Sequence, residues 1–369
     1  MHNISFFNTA VNAEATEAVI DLLRSTFLSE GKTVEAFEHE LANKTGMLHP
    51  VTVNSGTAAL HLALVVAGVG PGDEVIIPSQ TFVATGLAVL MVGATPVFAD
   101  IEMHTGNIDI ADIKKKITAA TRVIMPVHWG GYPCDMNAIS AVAKAHNLLV
   151  IEDAAHAIGA TYKGKVIGSI SDFTCFSFQA IKHLTTGDGG AIACKNPAHY
   201  QQAMALRWFG IDRKNSPMGP LGEREYNLTS IGYKYHLNNY AAALGIANLT
   251  DLHSNVQRRQ QIAAHYDEAL QNVAGLTPFV YNNQNSSAYW LYGFHVEHRI
   301  DFIKKLAQHG IPSSVVHLGI HKNDVFTHAS KKTLPVQLQF DASQIHIPVH
   351  NELSDAQVKT IVACIKSGW

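Results

Sequence analysis

Three short stretches hold residue types that carry chemistry. Asn54-Ser55-Gly56-Thr57-Ala58 follows an apolar run and opens a helix-like one. Small residues there let a phosphate approach backbone amides at the positive end of a helix dipole. A plain N-cap, with Ser55 or Thr57 satisfying orphan amides, fits the same residues. Next, Ile151-Glu152-Asp153-Ala154-Ala155-His156-Ala157 runs a buried-looking strand into two carboxylates. Such a pair could serve a metal, a general base or a cationic ring nitrogen, or simply stabilise a helix start. Third, Lys182 stands in the polar, glycine-rich stretch from Phe176 to Gly190, outside any basic run. An amine used as a nucleophile needs its pKa lowered by desolvation or a neighbouring cation. A lone loop lysine is ordinarily a solvated charge. The company sets this one apart: a phosphate-type turn, a strand-end aspartate and a loop lysine follow in that order.

The elements that must position them alternate. Short β-branched runs at 51–53, 74–77, 95–99, 122–127, 148–151, 173–178 and 191–194 are separated by helix-like segments at 57–67, 83–92, 136–146 and 197–208. That pattern predicts a mostly parallel seven-stranded sheet with helices on both faces. Ligands of such sheets collect at the carboxyl ends of the strands. Gly-Val-Gly-Pro-Gly at 68–72 precedes a strand instead of following one, so it is not a dinucleotide loop. Residues 211–235 are turn-rich and read as an ordered excursion. A long helical pattern from about 240 leads to short strands (289–296, 344–348) and helices (300–309, 354–366), a smaller α+β domain. The expected division is 1–245 for the large domain and 246–369 for the small one.

Composition narrows the classes. With 27 Lys plus Arg against 30 Asp plus Glu the net charge is −3, which excludes a polyanion binder. At 47% hydrophobic and 15% charged, the chain is not disordered. Four cysteines without CxxC pairing are the usage of a reducing compartment. The first residues show no basic segment before an apolar run, so no secretory signal is expected. No apolar stretch approaches ~18 residues, so no membrane partner is expected either. The 21 histidines form no HExxH, and no metal site is expected.

Five motifs at specific spacing, SGTAAL (55–60), TFVAT (81–85), EDAAHA (152–157), SFQAIKHLTTGDGG (177–190) and GYKYHLNNYAAALG (232–245), make the chain resemble the DegT/DnrJ/EryC1/StrS family of sugar aminotransferases. The resemblance spans nearly the whole chain and implies the α/β fold of PLP-dependent transferases of fold type I. It implies that Lys182 holds pyridoxal 5'-phosphate covalently and shuttles the proton, and that Asp153 pairs with the ring nitrogen. Phe82 would stack on the ring and His156, where many relatives have Gln, would lie near its phenolic oxygen. Gly56, Thr57 and Ser177 would hold the phosphate. Lys234, where many relatives carry Asn, and Asn227 would reach the cofactor of the other subunit in a homodimer with shared sites. Arg207 and His317 lie where relatives contact the sugar nucleotide.

A dehydratase branch of the family replaces the reactive lysine by histidine, and His183 is adjacent. The family pattern places the lysine five residues before Gly187, which is Lys182. The implied reaction moves an amino group from L-glutamate, released as 2-oxoglutarate, through pyridoxamine 5'-phosphate to a nucleotide-linked 4-keto-6-deoxyhexose. Alternatives are amination at C3, a non-nucleotide keto sugar or cyclitol, a sugar 3-dehydratase, and a non-catalytic cofactor-binding protein. The implied location is the cytoplasm, where sugars for surface polysaccharide such as O-antigen are made.

Overall fold

The computed structural model describes residues 4–213, 215–327 and 333–369; Lys214 of the excursion lies outside them. The main sheet is built from β1 (Pro50–Val53), β2 (Glu74–Pro78), β3 (Thr95–Ala99), β4 (Thr121–Ile124) and β5 (Leu149–Asp153). A hairpin of β6 (Thr161–Tyr162) and β7 (Lys165–Val166) intervenes before β8 (Phe173–Ser177) and β9 (Gly190–Cys194). The order across the seven strands is β1-β9-β8-β5-β4-β2-β3. Only β9 runs against its neighbours β1 and β8; every other pairing is parallel. This reversal lets the connection from β8 to β9 be a short loop that stays at one end of the sheet, and Lys182 lies in that loop.

Helices Gly56–Val66, Val83–Met91 and Pro197–Leu206 pack one face of the sheet, and helices Lys32–Thr45, Met136–Ala145 and Asn239–Leu249 contribute to the core on the other. Both faces are thus covered, which is why the strands read as continuous apolar runs. The expected fourth strand stops early, at Ile124. Pro126 has no amide to continue the ladder, although its carbonyl still accepts from the Asp153 amide at 2.9 Å.

The long helical pattern from 240 breaks in two. Asn239–Leu249 ends where Thr250 Oγ1 donates to the Ala247 carbonyl, and Leu252–Leu270 follows Asp251. The side chain of Asn12 clamps that joint, donating to Thr250 Oγ1 and to Asp251. The expected boundary at 245/246 therefore falls inside a helix that packs on the first core. The crossover is made instead by Leu252–Leu270, with Leu252 and Val256 in the first core and Ile262 to Leu270 in another. That second core is organised by β10 (Leu276–Pro278), β12 (Tyr292–Val296) and β13 (Gln344–Ile347), with helices Arg299–Gln308 and Asp355–Lys366. β11 (Asn285–Ser286) returns to pair with β6. Among the described residues, no helix is long and apolar enough to cross a membrane.

One close approach fixes the site's floor. A Cβ on Gly190 would lie 2.6 Å from the Phe176 carbonyl oxygen and 2.7 Å from backbone atoms of Ser55. Both neighbours are backbone, so neither can swing aside. Gly190→Ala is expected to destabilise the protein by about 1–3 kcal/mol through overpacking. Chemical denaturation measures this, and an unchanged midpoint would show that the sheet is not closed so tightly at this turn.

Candidate active site

The phosphate-type turn begins where β1 ends. Ser55, in extended backbone, caps the helix Gly56–Val66 by accepting from the Ala58 amide at 3.0 Å, and its carbonyl takes the Ala59 amide. The N-cap reading therefore holds for Ser55. It leaves the amides of Gly56 and Thr57, which have no acceptor within the helix. A Cβ on Gly56 would come 2.9 Å from Ser177 Cβ. Glycine there brings the helix start against the Ser177 hydroxyl at the end of β8.

Alternation along β5 separates the two carboxylates, because successive strand residues point to opposite faces. Glu152 turns into the core. It accepts from Thr174 Oγ1 at 3.0 Å and pairs with His128 Nε2 at 2.8 Å. His128 Nδ1 accepts from the Cys134 amide, so Nε2 carries the hydrogen. Asp153 faces the cavity. Its Oδ2 accepts from Thr85 Oγ1 at 2.7 Å and its Oδ1 from the Ala155 amide at 3.2 Å. Because Thr85 donates to Asp153, the 2.7 Å contact with Thr81 requires Thr81 to donate to Thr85. Burial pushes the Asp153 carboxyl above its ordinary range, against the Thr85 and Ala155 hydrogen bonds and the charge of Lys182.

Lys182 is held at the centre. Its pKa falls from 10.5 to about 7, chiefly because burial removes water from the ammonium; Asp153 opposes this and Arg259 adds to it. The amine lies 3.6 Å from the centroid of the Trp290 ring. His156 stacks on the same indole at 3.7 Å and keeps its Nδ1 without a partner. Burial drives the His156 imidazole well below its usual pKa, so it is neutral. Phe82, 52% exposed, sits at the mouth with its ring 5.2 Å from His317.

Gly56, Thr57, Phe82, Asp153, His156, Ser177, Lys182 and His317 thus line one cavity of about 520 Å³, drawn from the segments that follow β1, β2, β5 and β8 and from the C-terminal half. Asn227 and Lys234 are exposed and are not among its lining residues. The Lys234 backbone lies beside the turn, its carbonyl accepting from Asn54 Nδ2, while its amine rests 3.6 Å over Trp208.

Arg207 requires a correction. The expectation of sugar contact fails because the guanidinium, 1% exposed, is consumed by ion pairs with Glu38 and Glu30 and by the Thr52 carbonyl. The acids outweigh its desolvation and raise its pKa.

Thr85 and Trp290 escaped the sequence reading. Thr85 stood inside TFVAT, three residues after Phe82 in the first turn of its helix, and that spacing could have flagged it. Trp290 lies 108 residues beyond Lys182 and gave no local signal.

The sequence profile of the DegT/DnrJ/EryC1/StrS aminotransferase family matches residues 9–366. The chain belongs to that family. It is 36% identical over 377 residues to the spore coat polysaccharide biosynthesis protein SpsC of Bacillus subtilis (strain 168), covering 99% of this chain and 97% of SpsC. It is also 36% identical over 275 residues to the UDP-4-amino-4-deoxy-L-arabinose–oxoglutarate aminotransferase of Shewanella sediminis (strain HAW-EB3), covering 73% and 69%. Its fold matches the sugar aminotransferase CalS13 of Micromonospora echinospora with a TM-score of 0.94 at 33% identity, over 99% and 100% of the two chains. It also matches the PLP form of the sugar aminotransferase Spr1654 of Streptococcus pneumoniae with a TM-score of 0.90 at 32% identity, over 99% and 98%.

This member of the DegT/DnrJ/EryC1/StrS family is therefore a PLP-dependent sugar aminotransferase of fold type I. Its cavity fits the cofactor: a desolvated amine, a buried carboxylate, an unpartnered imidazole nitrogen and a cradle that a Cβ on Gly56 would fill.

Replacing Arg207 by Ala leaves Glu38 without its cation and Glu30 with only the more exposed Arg213. Arg207→Ala is expected to cost about 3–5 kcal/mol of stability, with KM for both substrates within a few-fold of the parent. A large rise in sugar KM at unchanged denaturation midpoint would restore the sugar-binding role.

Proposed function

We propose that this aminotransferase moves an amino group from L-glutamate to C4 of a nucleotide-linked 4-keto-6-deoxyhexose, in the cytoplasm, for surface polysaccharide such as O-antigen. One observation carries the chemistry: an amine with a pKa of about 7 lies in a cavity that also holds a buried carboxylate and a phosphate cradle. The Shewanella relative's name, with a 4-amino sugar and oxoglutarate, supports the position and the donor. The polysaccharide role is supported by the name of the Bacillus relative. Four buried free cysteines suit a reducing compartment.

When bound, pyridoxal phosphate supplies an electron sink and carries the amino group between substrates. The chain's own residues do the rest. Lys182 Nζ, near half-protonated at neutral pH, both takes a proton from the donor's Cα and returns one to the sugar carbon. Thr85 and the Ala155 amide donate to the two Asp153 oxygens, favouring the anionic form against the upward push of burial, and the carboxylate would hold a cationic ring nitrogen. The Gly56 and Thr57 amides and the Ser177 hydroxyl hold the phosphate. His156 would sit by the ring's phenolic oxygen and Phe82 over its open face. His317, neutral because burial lowers it to about 4, offers a hydrogen bond to the sugar.

The reading includes a homodimer in which Asn227 and Lys234 serve the neighbouring site. Support comes from the excursion that carries them, where Leu221 is 91% and Ile231 82% exposed, an apolar surface suited to a second copy. Against the dehydratase alternative, it is Lys182 that lines the cavity, while His183 is buried with its Nε2 on the Ala288 carbonyl.

Lys182→Ala is expected to abolish both half-reactions with the circular dichroism spectrum unchanged; residual turnover near the parent's would remove the lysine from its role. Asp153→Asn is expected to lower kcat by about 10²-fold or more, and an unchanged kcat would contradict the ring-nitrogen pairing. The substrate is tested with the pyridoxamine form and a panel of GDP-, dTDP- and UDP-linked keto sugars. A 4-keto-6-deoxyhexose should restore the aldehyde spectrum, whereas restoration only by 3-keto or unlinked sugars would overturn the C4 nucleotide reading.

A further inference from the structure

The loop lysine is gripped twice by one residue from the far half of the chain. Trp290 Nε1 donates to the Ile181 carbonyl at 3.1 Å, fixing the peptide immediately before Lys182. Its ring centroid lies 3.6 Å from the Lys182 amine. The indole is itself held: His156 stacks on it at 3.7 Å with 17° between planes, and Phe7 at 5.2 Å with 20°. The backbone around it is pinned as well, the Ala288 amide to the Gly131 carbonyl and the Leu291 amide to the Gly130 carbonyl. Trp290 is 2% exposed. A rigid aromatic face is therefore presented to the one side chain in the site that must leave a covalent partner and return to it.

We propose that Trp290 is a positioning residue, whose indole face receives the Lys182 amine whenever it is not bonded to the cofactor. Transamination alternates between a state in which the lysine is bound and one in which the amino group resides on the cofactor. In the second state the free amine must stay within reach while gaining and losing a proton. A carboxylate at contact distance would trap it as ammonium. An apolar wall would leave it unsolvated and unheld. The negative face of an indole attracts the ammonium without exchanging a proton with it, so the amine is held yet remains able to act as acid and base.

The arrangement separates two opposing influences on Lys182. Burial lowers its pKa to about 7, and the indole face favours the charged form. Removing the ring while keeping the cavity dry should lower the pKa further. Removing a mere plug should admit water and raise it toward 10.5. The two roles thus predict opposite signs.

The inference rests on Lys182 being the reactive amine, and the experiment distinguishes the two. The pyridoxamine-phosphate form of the enzyme is treated with acetic anhydride across pH, and acetylation of Lys182 is followed by peptide mapping. In the parent the labelling midpoint should lie near 7. In Trp290→Leu it should fall by about one pH unit. In Trp290→Phe, which keeps an aromatic face but loses the hydrogen bond to Ile181, it should fall by less. An unchanged or raised midpoint in whichever variant folds would overturn the role of Trp290 while leaving the lysine assignment intact. A Lys182 midpoint near 10.5 in the parent would overturn both.

Discussion

Desolvation of a single amine is the constraint on which this molecule turns. An ammonium inside protein is costly, and the structure removes water from Lys182 until charged and neutral forms are nearly balanced. The buried acid facing it, Asp153, opposes that shift without cancelling it. An amine poised in this way gives and takes protons at neutral pH. The surrounding imidazoles of His156 and His317 are driven neutral by the same burial and by the lysine itself, so none competes as a cation.

The sheet exists, functionally, to place that amine. Four parallel strand ends, those of β1, β2, β5 and β8, converge with one reversed strand. The reversal converts what would be a long crossover into a short loop pinned at the sheet's end. The Phe178 amide binds the Gly189 carbonyl and the Thr186 amide binds the Phe178 carbonyl, so the loop closes on itself around Lys182. Behind it, the fully buried His128–Glu152 pair ties β5 to the segment after β4. The Asp153 backbone bonds on both sides of that segment, to Pro126 and His128. The acid is aimed by backbone on one flank and by Thr85 on the other.

Much of this was legible in the chain. The seven strand runs, the four flanking helices and the three chemical stretches follow from period, capping and turn residues. Their convergence follows from the rule that strand ends collect ligands. The illegible parts were tertiary. Glu152 and Asp153 look equivalent in sequence, and only the alternation of a strand buried on both faces sends one to the core and the other to the cavity. Arg207 was expected at the sugar nucleotide, but Glu30 and Glu38, which claim it, lie 177 and 169 residues away in sequence. The helix break at Thr250 is clamped by Asn12, 238 residues earlier. Trp290, in an apolar cluster with Trp129, Leu291 and Phe340, meets Lys182 through a tertiary contact that no local pattern announces.

The central claim is that the ε-amine at position 182 is the cofactor's covalent attachment. Borohydride reduction of the resting enzyme, followed by digestion and mass spectrometry, tests it most directly. The account predicts a pyridoxyl adduct on Lys182 alone, absent from Lys182→Ala. An adduct on any other lysine, or none in the parent enzyme, would contradict it.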